Sequence, residues 1–274
     1  MQSSDGVLLY FPKVLLVHAS PFFKDMFSVS GHADNPNSVD NTQPLPVEED
    51  AATLEELLQF SDPAKPMPPI KRETVSKVLR AAHKYQIDKF ITHFAQSAGQ
   101  GPRCACGSED NQSLLSTKPM FVLSLAEQYK LPDLARLALR ELIVMPMNKL
   151  LAGNPGISAD MWLHLMQLRQ KRIDWFLSHI STFSAALFNE QSISYSSHSC
   201  LMTLVRQVHN TPSWHLVEKE TPLLLQIKIQ RTPNTYTSGV LKPRIGPKSP
   251  SLEDWRREAK DLEKELPPLP QGIF

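Results

Sequence analysis

The stretch Asp5–Phe27, DGVLLYFPKVLLVHASPFFKDMF, decides the fold, and a second stretch, VLRAAHKYQI from Val78 to Ile87, completes its meaning. The apolar run Gly6 to Phe11 reads as a strand, and Lys13 to His18 then follows a short helical pattern. Ser20-Pro21 starts a second helix. Serine suits an N-cap, and proline suits the first helical position because its missing N–H would be unpaired there in any case. Phe22, Phe23, Met26 and Phe27 then turn an apolar surface to a core, since residues three and four apart share a helix face. In the second stretch Val78, Leu79, Ala82 and Tyr85 lie on one side of a helix, and the small pair Ala81-Ala82 permits close approach by a neighbour. Such a helix is built for burial.

Outward from these stretches the chain alternates between loops and helices. Gly31 to Pro46 is rich in Asn, Asp, Ser and Pro, whose side chains compete for backbone hydrogen bonds and favour an exposed loop. Glu48, Glu49 and Asp50 sit where the positive end of a helix dipole favours anions, ahead of Leu54, Leu57 and Leu58 at helical spacing. That helix runs to about Phe60 and must stop in Ser61 to Pro69, which holds four prolines. Helices are expected next over Lys71 to Lys84 and Ile87 to Ser97. Gly99 to Thr117 has no hydrophobic period and reads as a linker or inserted loop.

After Pro119, the pattern of Phe121, Val122 and Leu125, then Leu134, Leu137 and Ala138, with Leu131-Pro132 between, predicts two antiparallel helices. Met161 to Leu177 and Ser196 to Val208 predict two more. Leu225 to Gln230 alternates as a strand would, but a short apolar run does not separate strand from helix. Lys242 to Pro250 is basic and proline-rich. A charged helix follows in SLEDWRREAKDLEKEL, where Ser251 and Asp254 stand at capping-box spacing. Its thin stripe of Trp255, Leu262 and Leu266 fits docking on the second domain, with acceptance of a partner helix as the alternative. Pro267 to Pro270 ends that helix, or serves as a polyproline ligand. The domain reading is therefore 1–98, a linker or inserted loop at 99–118, a helical extension at 119–230, and a proline-rich segment with a charged tail helix at 231–274.

At 274 residues the chain can bury two modest cores. Its 29 basic and 28 acidic side chains leave a net charge of +1, so no global field draws nucleic acid or an anionic membrane. The sequence holds neither a signal-peptide pattern nor an apolar run of membrane-spanning length. Three cysteines fit a reducing compartment better than a disulfide framework. The expectation is an intracellular protein, cytoplasmic or nuclear.

The ordered set Phe11 to Lys13, Leu16 to Phe27, Glu48 to Phe60 and Leu79 to Tyr85 resembles a BTB/POZ domain of the fungal, basidiomycete-like type. The likeness covers about residues 5 to 98, and the piece LAEQYKLPDLARLALREL is similar to the helical extension that follows the domain in such relatives. It implies an α+β, mainly helical fold: a small sheet with helical hairpins, then an all-α extension. Three departures stand out. Pro12 replaces the usual histidine; the usual Asp-Val-x-Leu strand is absent, leaving Lys13 without its expected acidic partner; and the elements that homodimeric relatives exchange are absent too, which puts that dimer mode in doubt.

Catalytic motifs are missing. Cys104-Ala-Cys106 leaves one residue between its thiols where zinc knuckles leave two to four, and Cys200 is remote in sequence. Gly99-Gln-Gly101 lacks a third glycine and follows a helix, so phosphate binding is unsupported. No Gly-x-Ser-x-Gly or His-Glu-x-x-His occurs. His18 and His83 fall on expected core helices and read as hydrogen-bonded structural residues. No catalytic residue, metal ligand or cofactor is expected.

What remains is surface recognition. The resemblance implies protein association with cullin-3 or another BTB protein, as in adaptors of cullin-3 ubiquitin ligases. The alternative is a transcription-associated oligomerising scaffold; the remote alternative is a metal-dependent or hydrolytic enzyme. Leu125-Ala-Glu127 and Leu54-Glu-Glu56 both fit a hydrophobic-x-Glu cullin signature by letters. The resemblance places Phe23, Met26, Ser28 and Val29, within the stretch that runs on to Asp40, on the partner-facing side, while Phe23 and Met26 also fit a core.

Overall fold

The computed structural model describes residues 1–30, 44–62, 65–71, 73–98, 113–152, 156–188, 195–215 and 252–272, and the chain forms two compact units, Met1–Lys118 and Pro119–Phe274. The expected strand at Leu225 to Gln230, the thiols of Cys104 and Cys106, and most of the Gly31 to Pro46 and Gly99 to Thr117 loops lie outside the described residues.

In the first unit α1 (Lys13–Ala19) and α2 (Pro21–Ser30) form a tight hairpin. Ser20 does what its chemistry predicts: its hydroxyl accepts the Phe23 N–H at 3.1 Å, capping α2. The same hydroxyl donates to the Tyr85 carbonyl, so one buried side chain ties the hairpin to a distant helix. Asp50 caps α3 (Ala51–Ser61), its carboxylate accepting the Thr53 N–H at 2.8 Å. α4 (Val75–Lys84) and α5 (Asp88–Ser97) complete the unit with the short α6 (Leu114–Thr117). Leu54, Leu57, Phe60, Val78, Leu79, Ile87, Phe90 and Phe94 form its core.

The expected small sheet is not formed among the described residues. Gln2 instead makes two isolated bridges, antiparallel to Leu8 and parallel to Pro46. Around the Asp5-Gly6 turn, where Gly6 takes φ +84, Ser3 N–H bonds Val7 O at 3.0 Å and Leu9 N–H bonds Met1 O at 2.8 Å. The pairing stops there because the partners are proline-bounded: Pro46 has no N–H to give, and Pro12 turns the chain into α1. Val7, Leu8 and Tyr10, read as a strand, stand exposed. His18 and His83, expected in the core, are exposed on α1 and α4.

The second unit opens with the antiparallel pair α7 (Pro119–Gln128) and α8 (Pro132–Ile143), followed by a short helix, α9 (Met147–Ala152). The α7–α8 turn repeats the α4–α5 turn in chemistry. Gln86 and Lys130 both adopt left-handed φ, 54 and 56, and the following residue returns a 2.8 Å hydrogen bond, Ile87 to Ala82 and Leu131 to Ala126. Each is a helix stop in which a left-handed residue lets the chain satisfy the last helical carbonyls. α10 (Ala159–Phe188) extends well past the expected Leu177, and α11 (Tyr195–Asn210) packs against it.

Arg169 on α10 is buried with its guanidinium on the carbonyls of Ile143 at 2.8 Å, Met145 at 2.6 Å and Asn210. A cation collects the exposed carbonyls at the ends of α8 and α11, where the helix dipoles favour positive charge. The tail helix, α12 (Leu252–Lys264), packs on α10 and α11 through Trp255 and Ala259. Leu266, expected in its stripe, is exposed, while Pro267 is buried and the Pro268 carbonyl lies 2.8 Å from a ring nitrogen of His164.

Candidate partner-binding surface

Tyr85, at the end of α4, anchors the α1–α2 hairpin. Its ring stacks on Phe23 at 5.1 Å between centroids, and Phe22 meets it edge-on at 5.5 Å. Phe27 stacks behind Phe23 at 6.2 Å, and the Lys13 ammonium sits 4.4 Å over the Phe27 ring. Lys13 thus rests its charge on a π face.

An acidic corner holds the other side of Tyr85. Its hydroxyl donates to the Glu49 carboxylate, while Lys84 donates to Glu48 at 2.8 Å and Glu49 at 3.1 Å. Burial, and then the bond to Glu49, push the Tyr85 phenol well above the ordinary tyrosine range. For Lys84 burial acts the other way, but the two carboxylates outweigh it and raise its pKa. Next along, Lys77 at 2.8 Å and the Thr53 N–H hold the Asp50 carboxyl far below its usual value. Two lysines thus hold three carboxylates, and the corner fastens the hairpin through them.

The sequence-predicted partner residues separate on this scaffold. Phe23 is core, 2% exposed. Met26 is partly buried, and Ser28 is exposed with its hydroxyl donating to the Lys24 carbonyl at 2.8 Å. The side chain of Val29 lies outside the described residues. Phe22, read as a core contributor, is 37% exposed, and Val14 on α1 is 72% exposed. The surface-facing aromatic of the pair was not legible, because Phe22 and Phe23 differ by one helical position and only Tyr85 decides between them.

Both hydrophobic-x-Glu matches serve the fold. Glu127 accepts the Ser158 N–H at 3.0 Å and the Ser158 hydroxyl, at the start of α10. Glu56 is buried and accepts the Thr74 hydroxyl at 2.6 Å. Among the described residues no cluster of three or more His, Cys, Asp and Glu side chains could hold a metal ion, and no helix is long and apolar enough to cross a membrane.

No curated protein and no solved structure matches the chain. The family model of the BTB/POZ domain does match, over residues 2–100. That range contains the α1–α2 hairpin, the acidic start of α3 and the Tyr85 anchor. Residues 2–100 are therefore a BTB/POZ domain, a protein–protein interaction module.

Proposed function

We propose that the chain is an adaptor whose BTB/POZ domain binds another protein across the outer face of the α1–α2 hairpin, with cullin-3 as the partner. The observation that carries this reading is the split between neighbouring aromatics: Phe23 is 2% exposed and stacked on Tyr85, whereas Phe22, which meets Tyr85 edge to face, stays 37% exposed on the same helix. A rigid aromatic half-exposed on a braced helix is the type of side chain on which interfaces concentrate binding energy. Met26, four residues on, shares the Phe22 face of α2, and the exposed Ser28, with Val29 next in sequence, follows towards the end of the helix. The helical second unit would then present the target.

Retention of cullin-3 by the immobilised full chain at micromolar concentration, reduced at least roughly tenfold by Phe22→Ala with helical content unchanged, is the expected outcome. Absence of retention contradicts the cullin-3 assignment. Retention that Phe22→Ala leaves untouched contradicts the placement of the surface.

A further inference from the structure

From the last residue of α12 the chain reads KELPPLP, Lys264 to Pro270, a cation three positions ahead of a Pro-x-x-Pro pair. Each proline fixes its own φ at about −65° and pushes the residue before it out of the helical region, so Leu266 to Pro270 is biased to an extended, polyproline-type backbone. That backbone repeats every three residues. Lys264, Pro267 and Pro270 therefore fall on one edge once the lysine joins it. Aromatic-lined grooves take proline pairs so spaced, and a carboxylate at the end of such a groove matches the lysine.

The segment is closed against its own unit. Pro267 is buried, and the Pro268 carbonyl lies 2.8 Å from Nε2 of His164 on α10. A carbonyl only accepts, so this nitrogen carries the proton and donates it. Proline has no N–H, and a protein that reads this backbone by hydrogen bonds must donate to its carbonyls, one of which His164 already holds. The closure is light. Among the described residues His164 makes the one hydrogen bond to Leu266–Pro270; Leu266 and Pro268 are exposed, and Leu269 and Pro270 are only partly buried. Lys264 is 79% exposed and 3.7 Å from Asp261, a surface pair of little strength. Helix ends fray, so the last turn, closed by the Glu265 N–H on the Asp261 carbonyl at 3.2 Å, can release Lys264 to the extended edge.

We propose that residues 264–270 are a ligand for a proline-recognition domain of the SH3 type, one whose aromatic groove ends in an acidic pocket, and that His164 keeps the ligand shut. Binding lifts Pro267 from its contact and exchanges the His164 N–H for a donor of the groove. The lysine decides the class of partner. Prolines alone fit several kinds of aromatic groove, whereas a cation one extended turn ahead of them calls for a carboxylate beside it. The ligand shares no residue with the α1–α2 hairpin, so the two readings stand or fall separately.

An isotopically labelled SH3 domain, one that binds peptides with a basic residue three positions ahead of a Pro-x-x-Pro pair, is titrated with the full chain and followed by its amide shifts. The wild-type chain should move the groove resonances. His164→Ala should tighten binding about three- to tenfold, as expected for loss of one competing hydrogen bond. Lys264→Glu and Pro270→Ala should each weaken it at least roughly tenfold, all three variants keeping wild-type helical content. In the wild-type chain itself, saturation with the domain should shift the His164 ring signals. Absence of groove shifts with both the wild-type and the His164→Ala chains overturns the ligand. Binding that Lys264→Glu leaves unchanged overturns the SH3 assignment in favour of a groove that reads prolines alone. Equal affinity of the wild-type and His164→Ala chains, or a His164 ring that does not respond, overturns the latch.

Discussion

Ser20, Phe23 and Asp50 show what single residues settle in this domain. Two of them were legible in the sequence, because caps are local chemistry: Ser20 before Pro21 and Asp50 before an apolar helix each accept a backbone N–H three residues on. Phe23 against Phe22 was not legible, since the choice depends on Tyr85, which arrives from another helix. Truncation separates them. Phe23→Ala should cost about 3–5 kcal/mol in urea unfolding followed by circular dichroism, as expected for a fully buried aromatic, whereas Phe22→Ala should cost about 1 kcal/mol. Asp50 gives a pH test. Its folded pKa is depressed, chiefly by Lys77 and then by Thr53, so its contribution is present above the unfolded value of 3.8 and is lost as pH falls below it. Asp50→Asn should therefore flatten the loss of stability between about pH 4 and pH 2, read from thermal midpoints along an acid series. A slope equal to wild type would show that Lys77 does not hold the carboxylate.

At the scale of elements, helix existence followed from periodicity and boundaries followed from chemistry that the pattern carries only in part. The helices beginning near Ser20 and Asp50 and ending near Lys84 stand where caps and spacing put them. The strand expected over Gly6 to Phe11 does not, because Gln2 bridges Leu8 on one side and Pro46 on the other, and Pro12 after the first and the N–H-less Pro46 in the second keep either bridge from extending into a ladder. The length of α10 was also hidden: past Leu177, Ile180 packs with residues of α11 and α12, which periodicity in one helix does not reveal. The repeated stops at Gln86 and Lys130 show a cost that the sequence accepts, since left-handed φ disfavours a side chain. Gln86→Gly should stabilise the first unit by about 0.5–1 kcal/mol, relief of the left-handed strain exceeding the entropy that glycine loses. A destabilisation in the same urea assay would show that Gln86 makes contacts worth more than its strain.

Taken whole, the molecule pairs a domain whose family pattern was readable with a helical unit whose closure was not. The first unit was recognisable because its marker residues are the ones that build it: Ser20, Phe23 and Tyr85 are bonded or stacked to one another. In the second unit the tail stripe was readable, but Ala259 rather than Leu266 completes the contact, since a small residue beside Trp255 allows the helix to approach. The central claim concerns the first unit alone: that its braced hairpin is where a protein partner lands. Amide hydrogen exchange of the full chain, with and without the cullin-3 N-terminal domain, tests it most directly. The account predicts added protection in α1 and α2, residues 13–30, with the Tyr85 end of α4 unchanged. Protection confined to other segments, with residues 13–30 exchanging as in the free chain, would contradict it.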